Sequence, residues 1–288
     1  MNIQSYVEVT KPKLVFLLVF TSLCTMIVSA SQNNLPLTGS VLFFGVAAAV
    51  AASAGCNALT SYIDRDIDAV MIRTRDRPLP SRRIDPPQKA LYFGVTLIGV
   101  SLVLAGMRNL LSFLCILLGV LDNVVVYSLL TKRRSPLNII LGGFSGGLAP
   151  LFGWVFVANS ISLTAILISS MVVLWIPSHI WSIAIYYQSD YERARVPMLP
   201  VVAGTEKAIR CIVSTAVLLV FMSIALHCYG GFGPIYLAFA LISGLFVLAG
   251  NLYLFLHPSP EVAWRMFKVS SPYLFLLFLA MIVDSLMS

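Results

Sequence analysis

Asp64 and Asp68, in Ser61-Tyr-Ile-Asp-Arg-Asp-Ile-Asp68, stand one helical turn apart, where an apolar run from Leu37 to Leu59 gives way to a basic loop. Side chains at i and i+4 of a helix lie about 40° apart, so these carboxylates share a face from which Asp66 points away. Asn57 and Thr60 continue the stripe, which then offers an amide, a hydroxyl and two carboxylates in sequence. Hard oxygen ligands at a membrane surface can hold Mg2+ against a phosphate. Arg73 and Arg77 repeat the four-residue spacing with the opposite charge, and a second acidic loop, Tyr186 to Gly204, carries Asp190. Mg2+ bridging two such clusters would grip a diphosphate from both sides, with Arg and Lys on the remaining oxygens. The competing reading is a solvated basic loop whose acids merely neutralise their neighbours. Against it, charge is expensive at a membrane boundary, and the second loop matches the first.

The elements that must position these groups are membrane helices. Hydrophobic residues make up 59% of the 288-residue chain and charged residues 11%, well below the quarter expected of a soluble domain. Nine apolar stretches approach the length of about 20 residues that crosses a bilayer as a helix: 14–31, 37–60, 89–107, 110–130, 138–158, 161–187, 206–228, 232–256 and 270–287. Gly99 and Gly106 weaken the third, and the ninth is short. With a cytoplasmic N-terminus, 18 of the 19 Lys and Arg fall on one side, and only Arg108 lies opposite. This is the positive-inside pattern, and moving the count by one helix would destroy it from that point on. The expected fold is therefore an all-α integral membrane protein, one domain over residues 1–288, with nine transmembrane helices and a cytoplasm-facing active-site cavity. The expected location is a prokaryotic plasma membrane, with the N-terminus inside and the C-terminus outside.

The net charge of +7 needs no nucleic acid, because basic loops hold to an anionic leaflet of membrane lipids. Lys11 and Lys13 before an apolar run ending in Val28-Ser-Ala30 imitate a signal peptide, but Glu8 and Lys11-Pro-Lys13 read as the entry of a helix that is kept. The five cysteines (Cys24, Cys56, Cys115, Cys211, Cys228) are unpaired in spacing and read as small core residues. His179, alone in an apolar helix, reads first as a hydrogen-bonded core residue. Asp122 is either functional or satisfied by Asn123 and a neighbouring helix.

Asp64-Arg-Asp-Ile-Asp68, followed by Met71-Ile-Arg-Thr-Arg-Asp-Arg-Pro-Leu79, resembles the first aspartate-rich motif of the UbiA-type intramembrane prenyltransferases, in the branch that farnesylates haem. Tyr127-Ser-Leu-Leu-Thr-Lys-Arg133, Ser135-Pro-Leu-Asn138 and Gly142-Gly-Phe-Ser-Gly-Gly-Leu-Ala-Pro-Leu-Phe-Gly-Trp154 are similar to that branch's fourth-to-fifth-helix region. Leu174-Trp-Ile-Pro-Ser-His179 resembles its sixth helix, and Asp190-Tyr-Glu-Arg-Ala-Arg-Val-Pro-Met-Leu-Pro200 the loop after it. The resemblance spans residues 57–204; the last 80 or so residues add topology and no motif.

The resemblance implies transfer of the farnesyl group of farnesyl diphosphate to a vinyl group of haem B, with water supplying a hydroxyl and diphosphate leaving. It implies Asp64, Asp68 and Asp190 as Mg2+ ligands, and Arg73, Arg77 and Lys132 on diphosphate oxygens. Tyr127, Trp154, Trp175, Trp181 and Tyr186 become walls for an isoprenoid or π faces for a carbocation. His179 and Asn138 become acceptor contacts, and contact with haem-copper oxidase or the haem A synthesis machinery is a possible partnership. Two departures stand out. Thr60 replaces the family's amide, for which Asn57 one turn away on the same stripe could substitute, and Ala194 replaces a second carboxylate in the later loop. A quinone or phenol prenyltransferase, a transporter and a membrane scaffold are the competing readings. Acids at the surface and the lack of an obvious inverted repeat of broken helices speak against the transporter.

Overall fold

The structure, a computed structural model, describes residues 3–287. Among them nine helices are long and apolar enough to cross a membrane: α1 (Pro12–Gln32), α2 (Gly39–Ile63), α3 (Gln88–Arg108), α4 (Leu110–Thr131), α5 (Asn138–Ala158), α6 (Leu163–Tyr186), α7 (Thr205–Tyr229), α8 (Pro234–Leu256) and α9 (Pro260–Met287). The first eight follow the expected spans closely. The ninth corrects its expectation by beginning at Pro260 instead of residue 270. Its first turns carry Glu261, Arg265 and Lys268, which the search for an unbroken apolar run rejected. They give α9 a charged first stretch ahead of its apolar run.

Local chemistry sets the helix starts. Pro12 opens α1 with its φ fixed and no orphan amide. The side chains of Thr38, Asn109 and Ser162 accept from the Val41, Ser112 and Ala165 amides at the starts of α2, α4 and α6. Each helix packs on the next and α9 closes on α1, while α1 also meets α5 and α6 meets α9. A buried core of Met26, Trp154, Phe156, Ile168, Leu219 and Phe278 lies between them. Phe43, Val103, Phe221, Ile242, Phe246 and Leu252 face outward, as a lipid-immersed surface requires.

Since lipid supplies no hydrophobic drive for helices to associate, close backbone contact must. Gly55 and Gly94 let α2 and α3 touch: a Cβ on Gly55 would stand 2.8 Å from the Gly94 carbonyl oxygen. On α1, the hydroxyls of Ser22 and Ser29 donate to the carbonyls of Ala149 (2.8 Å) and Trp154 (3.1 Å) of α5. Asp122, whose role the sequence left open, accepts from the Ser145 amide at 2.7 Å, and so binds α4 to an early turn of α5.

A Cβ on Gly153 would collide with the Ser22 carbonyl and the Thr25 hydroxyl, whereas Gly99 has nothing within 4 Å. Gly153→Ala should cost about 1–3 kcal/mol and lower the thermal unfolding midpoint in detergent, while Gly99→Ala leaves it unchanged or raises it.

Candidate active site

The carboxylates lie at the end of the bundle where α2, α4, α6 and the chain before α1 converge. Asp64 caps the end of α2, and the chain turns there into a short helix, Arg65–Val70, that carries Asp66 and Asp68. Asp64 is 4% exposed and Asp68 5%. Two bare carboxylates buried at this depth would repel each other and forgo hydration, so each is matched by a cation. Lys132 Nζ lies 2.5 Å from Asp64 Oδ2. Arg77 donates through one nitrogen to both oxygens of Asp68, at 3.1 and 3.0 Å. Burial works against the charge on Lys132, but the Tyr127 oxygen and the Asp64 and Asp68 carboxylates hold its ammonium above the usual lysine range.

Asp66 points away from this pair, as the helical spacing predicts, and meets Arg133 at 2.7 and 2.6 Å on the exposed side. Hydrogen bonds from Arg133 hold the Asp66 carboxyl below its ordinary value. A pair this open to water contributes little to stability.

Lys132 reaches Asp64 because the second half of α4, Leu121–Thr131, is wound with i→i+5 hydrogen bonds. The Lys132 amide donates to the Tyr127 carbonyl at 2.8 Å, and the Ser128 and Thr131 hydroxyls donate five residues back, to Asn123 and Val126. Such turns are uncommon and cluster at functional sites. Here the winding puts the Lys132 ammonium 5.5 Å above the Tyr127 ring. The same ring packs where a side chain on Gly142 would be, at 2.6 Å.

Asp190 organises the loop. Its oxygens accept from the backbone amides of Ile72 (3.1 Å) and Arg73 (3.2 Å), and Arg193 adds a third contact at 3.1 Å. The Arg73 guanidinium lies 4.9 Å from the Tyr187 ring centre and donates to the Tyr191 hydroxyl. Among the described residues, no three of the Asp, Glu, His and Cys side chains stand close enough together to hold a metal ion unaided. The Asp64–Asp68 pair nevertheless fits Mg2+. That ion typically takes one or two carboxylates and completes its shell with substrate phosphates and water, and the buried Asp64 Oδ1 has no hydrogen-bond partner.

Lys11 went unrecognised in the sequence. It occupies the left-handed residue before Pro12, at φ 54°, and lines a recess of about 100 Å³ with Glu8, Ser61, Asp68, Arg77 and Leu79. Burial and the positive charges of Arg77 and Lys132 lower its pKa to about 8. The Lys-Pro pair at a helix entry was the available signal, but nothing in the sequence says that this entry faces Asp68.

The other expected residues divide into two groups. Asn138 is fully buried at the start of α5 with both polar side-chain atoms unpartnered, and Trp181 is buried with its Nε1 unpartnered in the apolar cluster under the loops. Trp175 stacks on His179, with centroids 4.2 Å apart, and Tyr186 stacks on Trp264 at 4.8 Å. Asn57 lies two turns from the Asp64 end of α2, where its carbonyl accepts from the Thr60 hydroxyl. Trp154, in contrast, lies about 24 Å along α5 from Asn138, towards the opposite end of the bundle, and does not join the carboxylates.

A bundle of this topology with paired carboxylates at one end places the chain in a class of membrane transferases. A model of the UbiA prenyltransferase family matches residues 17–282, and the chain belongs to that family; it is a multi-pass integral membrane protein. It is 48% identical to the protoheme IX farnesyltransferase of Desulforudis audaxviator, over 98% of this chain and 88% of that one. It is 40% identical to the protoheme IX farnesyltransferase of Korarchaeum cryptofilum, over 96% and 92%. A solved digeranylgeranylglyceryl phosphate synthase has the same fold, with a TM-score of 0.80 at 21% identity over 99% of both chains. So does a UbiA homologue from Archaeoglobus fulgidus bound to GPP and Mg2+, with a TM-score of 0.67 at 16% identity over 97% of this chain and 99% of that one.

Lys11→Met should weaken binding of inorganic diphosphate, titrated calorimetrically with Mg2+ present, by about tenfold, the size of one charge-assisted contact. It should not lower the unfolding temperature, since it deletes a cation that faces two others.

Proposed function

We propose that this protein transfers the farnesyl group of farnesyl diphosphate to a vinyl group of haem B, with water supplying a hydroxyl and diphosphate released, to give haem O. The observation that carries the reading is the pair of buried carboxylates, one with an unpartnered oxygen, surrounded by Lys11, Arg77 and Lys132 at the end of an apolar bundle. This is a site for a metal-bound diphosphate beside a hydrocarbon chain. Similarity to protoheme IX farnesyltransferases over nearly the full length supports haem as the acceptor.

An allylic diphosphate ionises when the charge on its leaving group is neutralised and the cation is kept from bulk water. Asp64 and Asp68 would hold Mg2+, which when bound neutralises part of the diphosphate charge. Lys132 and Arg77 then turn from the carboxylates towards phosphate oxygens, and Lys11 adds a third positive charge. Asp190 keeps the Ile72–Arg73 backbone in place so that the loop closes over the site, and it stands as a candidate for the opposing metal ligand. Arg73, packed on Tyr187 and Tyr191, is positioned at the rim to meet the diphosphate. Tyr127 offers a π face beside Lys132. Trp181 and Asn138, buried with unpartnered polar atoms, are candidate acceptor contacts, as is His179.

Asp64→Asn or Asp68→Asn should each lower turnover per folded molecule by about 100-fold or more, with the unfolding temperature followed in parallel because each variant also leaves a buried cation without its partner. The assay supplies haem B, Mg2+ and farnesyl diphosphate and scores the formation of a more hydrophobic haem by chromatography. Turnover within threefold of the parent for both variants, or prenylation of a quinone precursor with haem ignored, overturns the reading.

The distribution of Lys and Arg favours a plasma-membrane orientation with the site in the cytoplasm and the C-terminus outside, where a haem product could pass to oxidase assembly. A reporter after Ser288 should register outside and one within residues 188–204 inside. Both on one side would refute this orientation.

A further inference from the structure

The last helix carries no sequence motif, yet it forms one wall around His179. Rings run inward from the loop end in a continuous column: Tyr186 on Trp264 at 4.8 Å, Trp264 on Phe267 at 5.1 Å, Phe267 against His179 at 4.3 Å, and His179 on Trp175 at 4.2 Å. Phe267 and Trp175 therefore cover the two faces of the imidazole, and any further partner must approach one of its edges.

Ser270 occupies one edge. Its Oγ lies 2.6 Å from His179 Nδ1 and 2.8 Å from the Phe267 carbonyl oxygen, and its own carbonyl accepts from Trp175 Nε1 at 2.8 Å. A carbonyl can only accept, and a serine hydroxyl has a single hydrogen to give. Both contacts are satisfied together only if Ser270 donates to Phe267 and His179 donates through Nδ1–H. Nε2 then carries a lone pair, and no described residue makes a hydrogen bond to it. The ring is 7% exposed, so bulk water does not compete freely for that lone pair. Metal-binding histidines use this arrangement: a hydrogen bond at one nitrogen fixes the tautomer and ring angle, and the other nitrogen is left for the metal.

We propose that Ser270 is a positioning residue that holds His179 in the Nδ1–H tautomer and aims the Nε2 lone pair at the iron of the haem acceptor. The inference rests on the haem reading above and goes beyond it, because it assigns a role to a helix that the sequence left without one. The same contacts explain why α9 packs against α6 at this depth, since one serine ties down both Trp175 and His179.

The tests use the full-length protein in detergent. Ferric haem B is titrated in while the Soret band and the electron paramagnetic resonance spectrum are followed, and binding of farnesyl diphosphate with Mg2+ is measured on the same preparation. The parent should show nitrogen ligation, and His179→Ala should lose it. Ser270→Ala should bind haem 10- to 100-fold more weakly, as loss of such an outer hydrogen bond usually does, with diphosphate affinity unchanged. Ser270→Thr, which keeps the hydroxyl, should return to within threefold of the parent. Ser270→Ala with the parent's affinity and spectrum, or Ser270→Thr as impaired as Ser270→Ala, overturns the proposal. If Ser270→Ala does not fold, ¹⁵N-histidine NMR of the haem-free parent decides: a protonated Nδ1 and bare Nε2 on His179 support the proposal, and the opposite tautomer overturns it. A parent that binds no haem at all would instead refute the haem reading.

Discussion

Burying carboxylates at the edge of a hydrocarbon-immersed bundle is the constraint around which the rest of the structure is arranged. Two carboxylates buried together call for compensating charge, and no residue within α2 supplies it. The cations come from three separate parts of the chain: Lys132 from the end of α4, Arg77 from the loop after α2, and Lys11 from the entry to α1. Breaking either ion pair would leave an uncompensated charge in a low-dielectric setting, at a cost of several kcal/mol. The pairs thus tie the ends of α2 and α4 and the intervening loop together, and the same groups are the ones proposed to hold a metal and its diphosphate.

Below this polar end the bundle is held by contacts that work in lipid. Glycines let backbones touch, and hydroxyls on α1 satisfy carbonyls on α5 without exposing a polar group to hydrocarbon. Asp122 belongs to this framework. Its carboxylate takes an amide near the start of α5, and its place within α4 reflects that structural bond. Buried polar atoms without partners occur in both regions: Asp64 Oδ1, both side-chain atoms of Asn138 and the Trp181 nitrogen among the expected site residues, and Ser112, Trp154, His227, Tyr273 and Ser285 within the helices. Buried polar groups are ordinarily satisfied, and among the unpartnered ones Asp64 Oδ1 is the atom that belongs to the carboxylate pair.

Much of the architecture was legible in the chain. The nine spans followed from run length, because a helix in lipid must satisfy its own backbone and present apolar side chains outward. The pairing of Asp64 with Asp68, and the exclusion of Asp66, followed from helical geometry alone. The start of α9 was not legible, because Arg265 and Lys268 interrupt the apolar pattern while the backbone continues as a helix.

What the sequence determined by itself was class, helix count and the location of the candidate carboxylates, all set by local composition and short-range spacing. What only the tertiary structure decided was which cation meets which carboxylate and which ring nitrogen remains free. Lys132 faces Asp64 because α4 winds its last turns with i→i+5 bonds, a choice that packing makes and composition does not announce. Lys11 and Ser270 are ordinary residues in the chain, far from any motif. Their proposed roles arise because the first and last helices close the ring of the bundle, which sets Lys11 beside Asp68 and Ser270 beside His179. Such contacts depend on distances between segments far apart in sequence, and side-chain spacing along one helix carries no information about them.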